Sequence, residues 1–598
     1  MPGIVGFVGT RRADGDAETL RRMVGSMLHE SFYRSGTHIQ ADLGVHLGWV
    51  TRDGAFDAAM PLWNATRDVC LVFCGEEFSR AAAPPGYLLE LYEERGDEFF
   101  SALNGNFAGM LFDLRRGTAV LFNDRFGLSR VYCHESADRL YFASEAKALL
   151  AAVPALRGLD PDSLGEYLSC GCALQNRTLF RDVTQLPGAS AWEFRAAGSV
   201  RKKRYFDPAT WTTQPKLGVE EYYAALKETL AAVLPRYLHA NAPVGISLTG
   251  GVDSRMVMAW ARQPPGTLRT YTFGGMFREC TDVEIARRVA AICAQPHEVI
   301  EVGSDFLRQF AELARSTVYL TDGAMDVSGT PDLFANRIAR GISNVRMTGN
   351  YGSEILRQLV AFKPMSLHAA PFAGPVREQM RHAADRYQAE RGRDALEFVA
   401  FKQVPWHHHS RYALERTQLT LRSPYLDNDL VALAFRAPPG PAIETPMALR
   451  LIADGNAALG AVGTDRGVMR RSVPLISPLV HGYQQFMFKA EYAYDYGMPQ
   501  WLTRFDNAFR ALHLERLFLG RHKFYHFRYW YRNALAPYLR EVLLDERSLS
   551  RAHVDRAALR KVVEAHTTGQ GNFTLELHRL LSLELLHRTL LDADGSRH

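Results

Sequence analysis

The sequence predicts an α/β protein of two domains, and three observations carry that reading. The first 200 residues alternate short β-branched and aromatic runs with Gly and Asn-Asp turns, the pattern of an antiparallel sheet. Residues 196–216 are basic, polar and carry two prolines, which marks a join. Beyond the join, residues 242–261 read as apolar strand, Gly-rich turn and helix, the unit from which parallel sheets are built. We place the domains at 1–205 and 217–598, each long enough for its own core.

Composition narrows the function classes. The chain is 47% hydrophobic and 23% charged, and no run approaches the ~20 apolar residues of a membrane span. No basic segment followed by an apolar one opens the sequence, so no secretory signal is expected. Seven scattered cysteines, an odd number, suit a reducing compartment, and a cytoplasmic location is the expectation. Cys170 and Cys172 form a close pair without a partner cluster at zinc spacing. A net charge of +5 is mild, and an anionic nucleotide accounts for it. Neither nucleic acid nor a membrane is expected as a partner.

The N-terminal strands come in a specific order. Residues 1–9 (MPGIVGFVG) suggest a buried first strand. Then follow LNGNFAG at 103–109, NDRFGL at 123–128 and LYFASEAKAL at 140–149. That order resembles the glutamine amidotransferase domain of class B asparagine synthetases, which reads C-G-I-x-G, L-N-G-x-F-A, R-D-x-x-G and F-A-S-E-x-K-A-L. The resemblance covers roughly residues 1–200 and implies an Ntn-hydrolase-like αββα sandwich. Three parts of the glutaminase site depart from that family. Its nucleophile is an N-terminal Cys activated by its own amine, and Pro2 stands there. Its G-E-I-Y-N appears as Gly75-Glu76-Glu77-Phe78-Ser79, and its R-G-P-D has no counterpart around residues 29–36. A domain lacking all three is expected not to hydrolyse glutamine and to serve a structural or docking role.

After the join, residues 220–239 form an amphipathic helix through Tyr223, Leu226, Leu230, Val233, Leu234 and Leu238. The stretch Ser247-Leu248-Thr249-Gly250-Gly251-Val252-Asp253-Ser254-Arg255 follows its strand directly. Adjacent glycines let the backbone approach a ligand, and the amides opening the next helix favour an anion. Thr249 and Ser254 add hydroxyls. Asp253 beside phosphates would be repulsive without a cation between them, which argues for Mg²⁺ on a polyphosphate. No Lys follows these glycines, so this is not a Walker loop. The stretch resembles the S-G-G-x-D-S loop of ATP pyrophosphatases, which transfer AMP. A second strand, 268–275, ends in Phe273, Gly274 and Gly275, and its carboxyl end should lie near the nucleotide base. Asp282, opening the helix from Thr281 to Ala294, is either a helix N-terminal charge or a group behind the metal site.

Residues 345–354 (VRMTGNYGSE) resemble the T-G-Y-G-A-D of β-lactam synthetases once Asn350 is taken as an insertion. Gly349 then belongs to the nucleotide site, Tyr351 takes the catalytic Tyr place and Glu354 the metal-binding Asp place. Without the insertion Ser353 falls on that Asp, and in either alignment Glu354 is the carboxylate expected to share Mg²⁺ with Asp253. Residues 422–427 (RSPYLD) resemble the family's R-x-P-F-L-D, and Arg466 stands near the place of a Lys that stabilises the adenylate step. Adjacent side chains diverge, so His407, His408 and His409 read as partner or solvent contacts. The aromatic, basic stretch 522–532 reads as packed helix with snorkelling cations.

An adenylating half with a silent glutaminase half needs another nucleophile. The resemblance implies three readings: intramolecular amide formation, as in β-lactam synthetases and lasso peptide cyclases; asparagine or related amide synthesis with free ammonia, including relatives that act in polysaccharide clusters; and a non-catalytic scaffold. The length and extra C-terminal helices favour the lasso cyclase type. That type implies ATP and Mg²⁺, a precursor peptide as substrate, and a leader-binding protein and leader peptidase as partners. In it, a peptide Asp or Glu is adenylated and the peptide's α-amine closes the ring.

Overall fold

The computed structural model describes residues 1–598 apart from 10–13, 81–82, 196–198, 241, 276, 366, 369, 440–444, 469–475, 504–512 and 593–598. The first three residues of the basic join, 196–198, thus lie outside the described residues.

The N-terminal part stacks two six-stranded antiparallel sheets. In the first, Gly3–Gly9 pairs with Val45–Arg52 on one side and Arg139–Ala143 on the other. The second is centred on Gly105–Asp113, between Val69–Glu77 and Thr118–Asn123. Side chains alternate across a strand. Ile4 and Val8 therefore enter the core between the sheets, with Leu47 from the first sheet and Val72, Phe112 and Leu121 from the second. Val5 and Phe7 point the other way, onto Leu20, Met23 and Val24 of the helix Asp16–Gly25. Phe99 and Phe100, from the helix Phe99–Ala102, pack on the other face of the second sheet, where both meet the Phe122 ring.

The rest of the chain is built on a five-stranded parallel sheet, in the spatial order His297–Val302, Arg269–Gly275, Val244–Ser247, Val345–Met347 and Thr420–Arg422. In chain order these are third, second, first, fourth and fifth. Winding reverses at the first strand, and ligand crevices form at the carboxyl ends beside such a reversal. Ile246 lies opposite both Thr270 and Met347, so three strand ends converge there. The helix Val219–Leu238 buries Tyr222, Tyr223, Leu226, Leu230, Val233, Leu234 and Tyr237 at helical spacing.

Two expectations are corrected. The histidine run is not a solvent face. Val399–His408 winds as a π-helix containing Pro405, and its end turns the three rings into the interior. His407 stacks on Phe362 with 4.9 Å between centroids, and His408 meets the Tyr351 ring edge-on at 5.5 Å. His409 Nδ1 lies 2.9 Å from the Leu128 carbonyl of the sandwich. Burial holds His407 down at about 4 and the other two well below the ordinary range. The stretch 522–532 is helical only over Phe527–Arg532, and its cations do not snorkel. Arg528 is buried and donates to the Tyr494 carbonyl at 3.1 Å, while Lys523, Phe524 and Tyr525 line a cavity.

A polar seam joins the two halves. Arg422, ending the fifth parallel strand, forks onto the Glu76 carboxylate and donates to the carbonyls of Tyr237 (2.8 Å) and His239 (2.7 Å). Asn104 Nδ2 donates to Asp427 at 2.8 Å, and Phe78 stacks on Tyr237 at 4.0 Å. The residues resembling R-x-P-F-L-D thus fasten one half to the other.

Candidate active site

A cavity of about 510 Å³ opens at the winding reversal. Its walls include Ser247, Thr249, Asp253, Ser254, Phe273 and Gly349, with Tyr351 and Glu354 beside them. Eight of the residues singled out from sequence therefore meet in one place. Gly349 is there for close approach, since a Cβ would sit 2.5 Å from the Ser254 nitrogen. Thr348 donates its amide to the Arg422 carbonyl at 3.0 Å, so the loop at 348–351 starts from the seam. Ser423 Oγ donates to the Asn350 carbonyl at 2.7 Å and fixes the loop further on. The turn closes with Tyr351 at φ +72°, an uncommon conformation for a bulky residue and a sign of local constraint.

The Gly-rich loop is braced from behind. Asp282 accepts from the Gly250 amide at 3.0 Å, so of its two expected roles it holds the loop. The Ser254 hydroxyl accepts from the Thr249 amide at 3.2 Å, and the Thr249 hydroxyl accepts from the Gly251 amide at 3.3 Å. Arg255 is fully buried and spends its donors on three carbonyls: Val462 (2.6 Å), Gly250 (3.1 Å) and Gly463 (3.0 Å). It anchors the loop and does not reach the cavity. Leu248 and Gly274 likewise lie behind the lining, Leu248 in the core and Gly274 against Val283.

Asp253 accepts from Ser353 Oγ at 2.6 Å and from Arg357 at 2.9 and 3.1 Å, and its carbonyl accepts from the Tyr425 hydroxyl at 2.7 Å. Burial raises its carboxyl and the Arg357 guanidinium opposes that rise. Burial pushes Glu354 up to about 7, and the Asp253 charge adds to the rise. His408 Nε2 stands 3.8 Å from Glu354. Among the described residues no group of three or more His, Cys, Asp or Glu is placed to hold a metal by itself. Mg²⁺ commonly takes one or two carboxylates and completes its shell with phosphate oxygens and water. Asp253 and Glu354 fit that demand.

Arg466 is corrected. It lies outside the cavity, exposed, with its guanidinium 4.0 Å from the Phe488 ring centroid. Its neighbour Asp465 does the local work: the Asp465 amide donates to the Gly250 carbonyl at 3.3 Å. Cations reach the cavity from residues the sequence reading passed over. Arg346 faces Glu415 at 3.4 Å and Arg411 faces Asp332 at 3.2 Å. Lys523 lies 3.3 Å from the Phe273 ring centroid and donates to Thr272 Oγ1 at 3.4 Å. Among the described residues it makes no ion pair, and burial lowers it to about 8. Its position could not be read locally, because it enters from the far end of the chain.

Around the positions that the resemblance assigned to a glutaminase site, contacts cross to the other half. Tyr33 donates to the Thr417 carbonyl at 2.7 Å, Gln418 donates to Glu30 at 2.6 Å, and Arg52 donates to Thr420 at 3.0 Å. Ser79 is 3.3 Å from the Tyr87 hydroxyl.

Residues 84–206 match the glutamine amidotransferase domain family, and residues 225–478 match the asparagine synthase family. Asparagine synthetase [glutamine-hydrolyzing] 1 of Bacillus subtilis is 25% identical over 52% of this chain and 49% of its own length. A putative asparagine synthetase of Methanocaldococcus jannaschii is 23% identical over 45% of this chain and 52% of its own. Amidase chyE of Penicillium rubens is 30% identical over 28% of this chain and 25% of its own. The chain spans about half the length of the first two of these curated relatives. No helix among the described residues is long and apolar enough to cross a membrane. In chain order, then, a region similar to a glutamine amidotransferase domain is followed by one similar to asparagine synthase.

Proposed function

We propose that this protein is an ATP-dependent, AMP-forming ligase that makes an amide from a carboxylate and an amine, without taking its nitrogen from glutamine. The observation that carries the proposal is the convergence of a braced Gly-rich loop, two carboxylates and the Lys523 cation on one cavity, in a chain whose position 2 is Pro. In the first step a carboxylate oxygen bonds to the α-phosphorus of ATP and pyrophosphate leaves. In the second, an amine bonds to the acyl carbon, AMP leaves and the amine loses a proton.

Asp253 and Glu354 would hold Mg²⁺, which neutralises the leaving pyrophosphate. From the loop, the Thr249 and Ser254 side chains line the cavity and would meet the phosphates, while the Gly250 and Gly251 amides are spent on Asp282 and Thr249; Lys523 supplies positive charge where it develops. Phe273 lines the same cavity, its ring already in contact with Lys523 and stacked with Tyr525. Tyr351 and Glu415 line the wall of the same cavity, and the Glu415 charge acts on the Tyr351 hydroxyl. Burial keeps the Tyr351 hydroxyl protonated, so it would take a proton from an attacking amine only while passing its own proton on to a carboxylate such as Glu415.

For the acceptor we propose a peptide: the α-amine of a precursor attacks an adenylated Asp or Glu side chain of the same peptide, in the manner of lasso peptide cyclases. Tyr496, Phe524 and Tyr525, from the part of the chain beyond residue 422, add aromatic wall to the cavity, which supports this reading. In vivo it would require a leader-binding protein and a leader peptidase. The named relatives favour a second reading, amidation of aspartate or a related acid by free ammonia. A single assay separates them. Linear peptide with a free α-amine and internal Asp or Glu, plus ATP and Mg²⁺, should lose one water and yield AMP. Asparagine and stoichiometric AMP from aspartate and ammonia alone would overturn the peptide reading and keep the ligase.

A further inference from the structure

We infer that the seam between the two halves holds a second binding site, for a small monovalent anion of the chloride class. The site is a cavity of about 30 Å³ whose walls include Pro2, Arg52, Asp57, Gly75, Arg416 and Thr420. It adjoins the large cavity, with Asn106, Tyr412 and Leu421 forming part of both walls. The inference is independent of the reaction proposed above.

Charge is the first argument. Arg52 ends the strand Val45–Arg52 of the sandwich, and Arg416 ends the helix His409–Arg416 of the other half. Both are more than nine-tenths buried, at 7% and 8% exposure. Arg52 Nη1 bonds Thr420, but its Nε and Nη2 are buried without a hydrogen-bond partner among the described residues. Arg416 Nη2 reaches the Pro2 carbonyl at 3.4 Å, a long contact. Asp57 brings one negative charge, and one of its oxygens accepts from the Gly75 amide at 2.9 Å. Glu76 is already matched by Arg422. Two guanidiniums against Asp57 leave one positive charge in excess. An uncompensated buried charge is costly, and unused N–H donors add to the cost. One monovalent anion between the two arginines removes both.

Size is the second argument. A cavity needs roughly 10–15 Å³ of probe volume to admit a water. Here there is room for one or two bodies of that size. Chloride fits; phosphate, sulfate and any amino-acid carboxylate with its backbone do not. The bound ion would bridge Arg52 of one half to Arg416 of the other. It would therefore strengthen the seam and, through Tyr412 and Leu421, set part of the large cavity's wall.

The test uses the full chain and bromide as the probe. Crystals soaked in sodium bromide should show an anomalous peak between Arg52 and Arg416. In solution, chloride should raise the melting midpoint over gluconate at equal ionic strength, saturably and by about 1 °C at ten times its dissociation constant. Arg52→Met and Arg416→Met should each remove the chloride-specific rise. If either variant does not fold, the two wild-type measurements still decide. The same midpoint in chloride and gluconate would overturn the proposal, whether bromide is absent or appears as an adventitious ion only.

Discussion

Replacing Lys523 with Met tests the electrostatics of the site most sharply, because stability and activity should move in opposite directions. Lys523 is lowered from 10.5 to about 8 by burial. Burial disfavours the charged form, so folding is penalised while Lys523 is protonated. That penalty is fully present below about pH 8 and disappears as pH rises through 10.5. A shift of this size corresponds to roughly 3 kcal/mol at neutral pH. Met keeps the length and removes the charge. At an unfolding entropy of ~2.1 cal/mol/K per residue, that amount raises the melting midpoint of this chain by about 2 °C at pH 7. By pH 10.5 the gain should be gone. The same variant loses the cation that meets charge developing on the phosphates, which should lower ATP-dependent pyrophosphate release by roughly 10²–10³-fold. Melts at pH 7 and pH 10.5 with a coupled pyrophosphate assay give both readouts. A variant that melts lower at pH 7 yet releases pyrophosphate normally would refute this account of Lys523.

Asp253→Asn and Glu354→Gln should each reduce AMP and pyrophosphate formation by ~10²-fold or more, with the fold intact by circular dichroism, because each weakens the hold on Mg²⁺. The purified protein should release no glutamate from glutamine above a no-enzyme control, with or without ATP. Arg255→Met should destabilise the protein by about 3 kcal/mol, since the Val462, Gly250 and Gly463 carbonyls lose a charged donor. Weaker ATP binding by calorimetry should accompany that loss; unchanged affinity would show that the anchor does not shape the loop.

The sequence exposed the parts of the site that are local in the chain. A strand followed by glycines and a helix fixes where Thr249 to Ser254 must go, because a parallel sheet presents its strand ends on one edge. Gly349 and Glu354 were legible for the same reason. Proximity in sequence does not by itself give access to the cavity. Arg255 follows the loop but points behind it, and Arg466 lies on Phe488. Lys523, Arg346 and Arg411 carry no local signal. Only the packed fold brings a loop from near residue 523 over the second strand. The histidines were misplaced because Pro405 and the π-helical winding turn that segment inward, which helical periodicity does not announce.

The Arg422 fork has a consequence for any attempt to cut the protein in two. Trimming away the sandwich would take both Glu76 and Phe78 from Arg422 and open to water a face that the two halves now bury between them. Arg422 belongs to the strand whose carbonyl receives Thr348, and Ser423 next to it holds Asn350. The lost partner would therefore be felt in the loop that carries Tyr351 and Glu354. A half-protein expressed from the join onward should aggregate or stay inactive, and adding the sandwich as a separate chain should restore it only where the Glu76 contact re-forms. On this geometry the neighbouring site requires the sandwich as a support, whatever chemistry the sandwich performs itself.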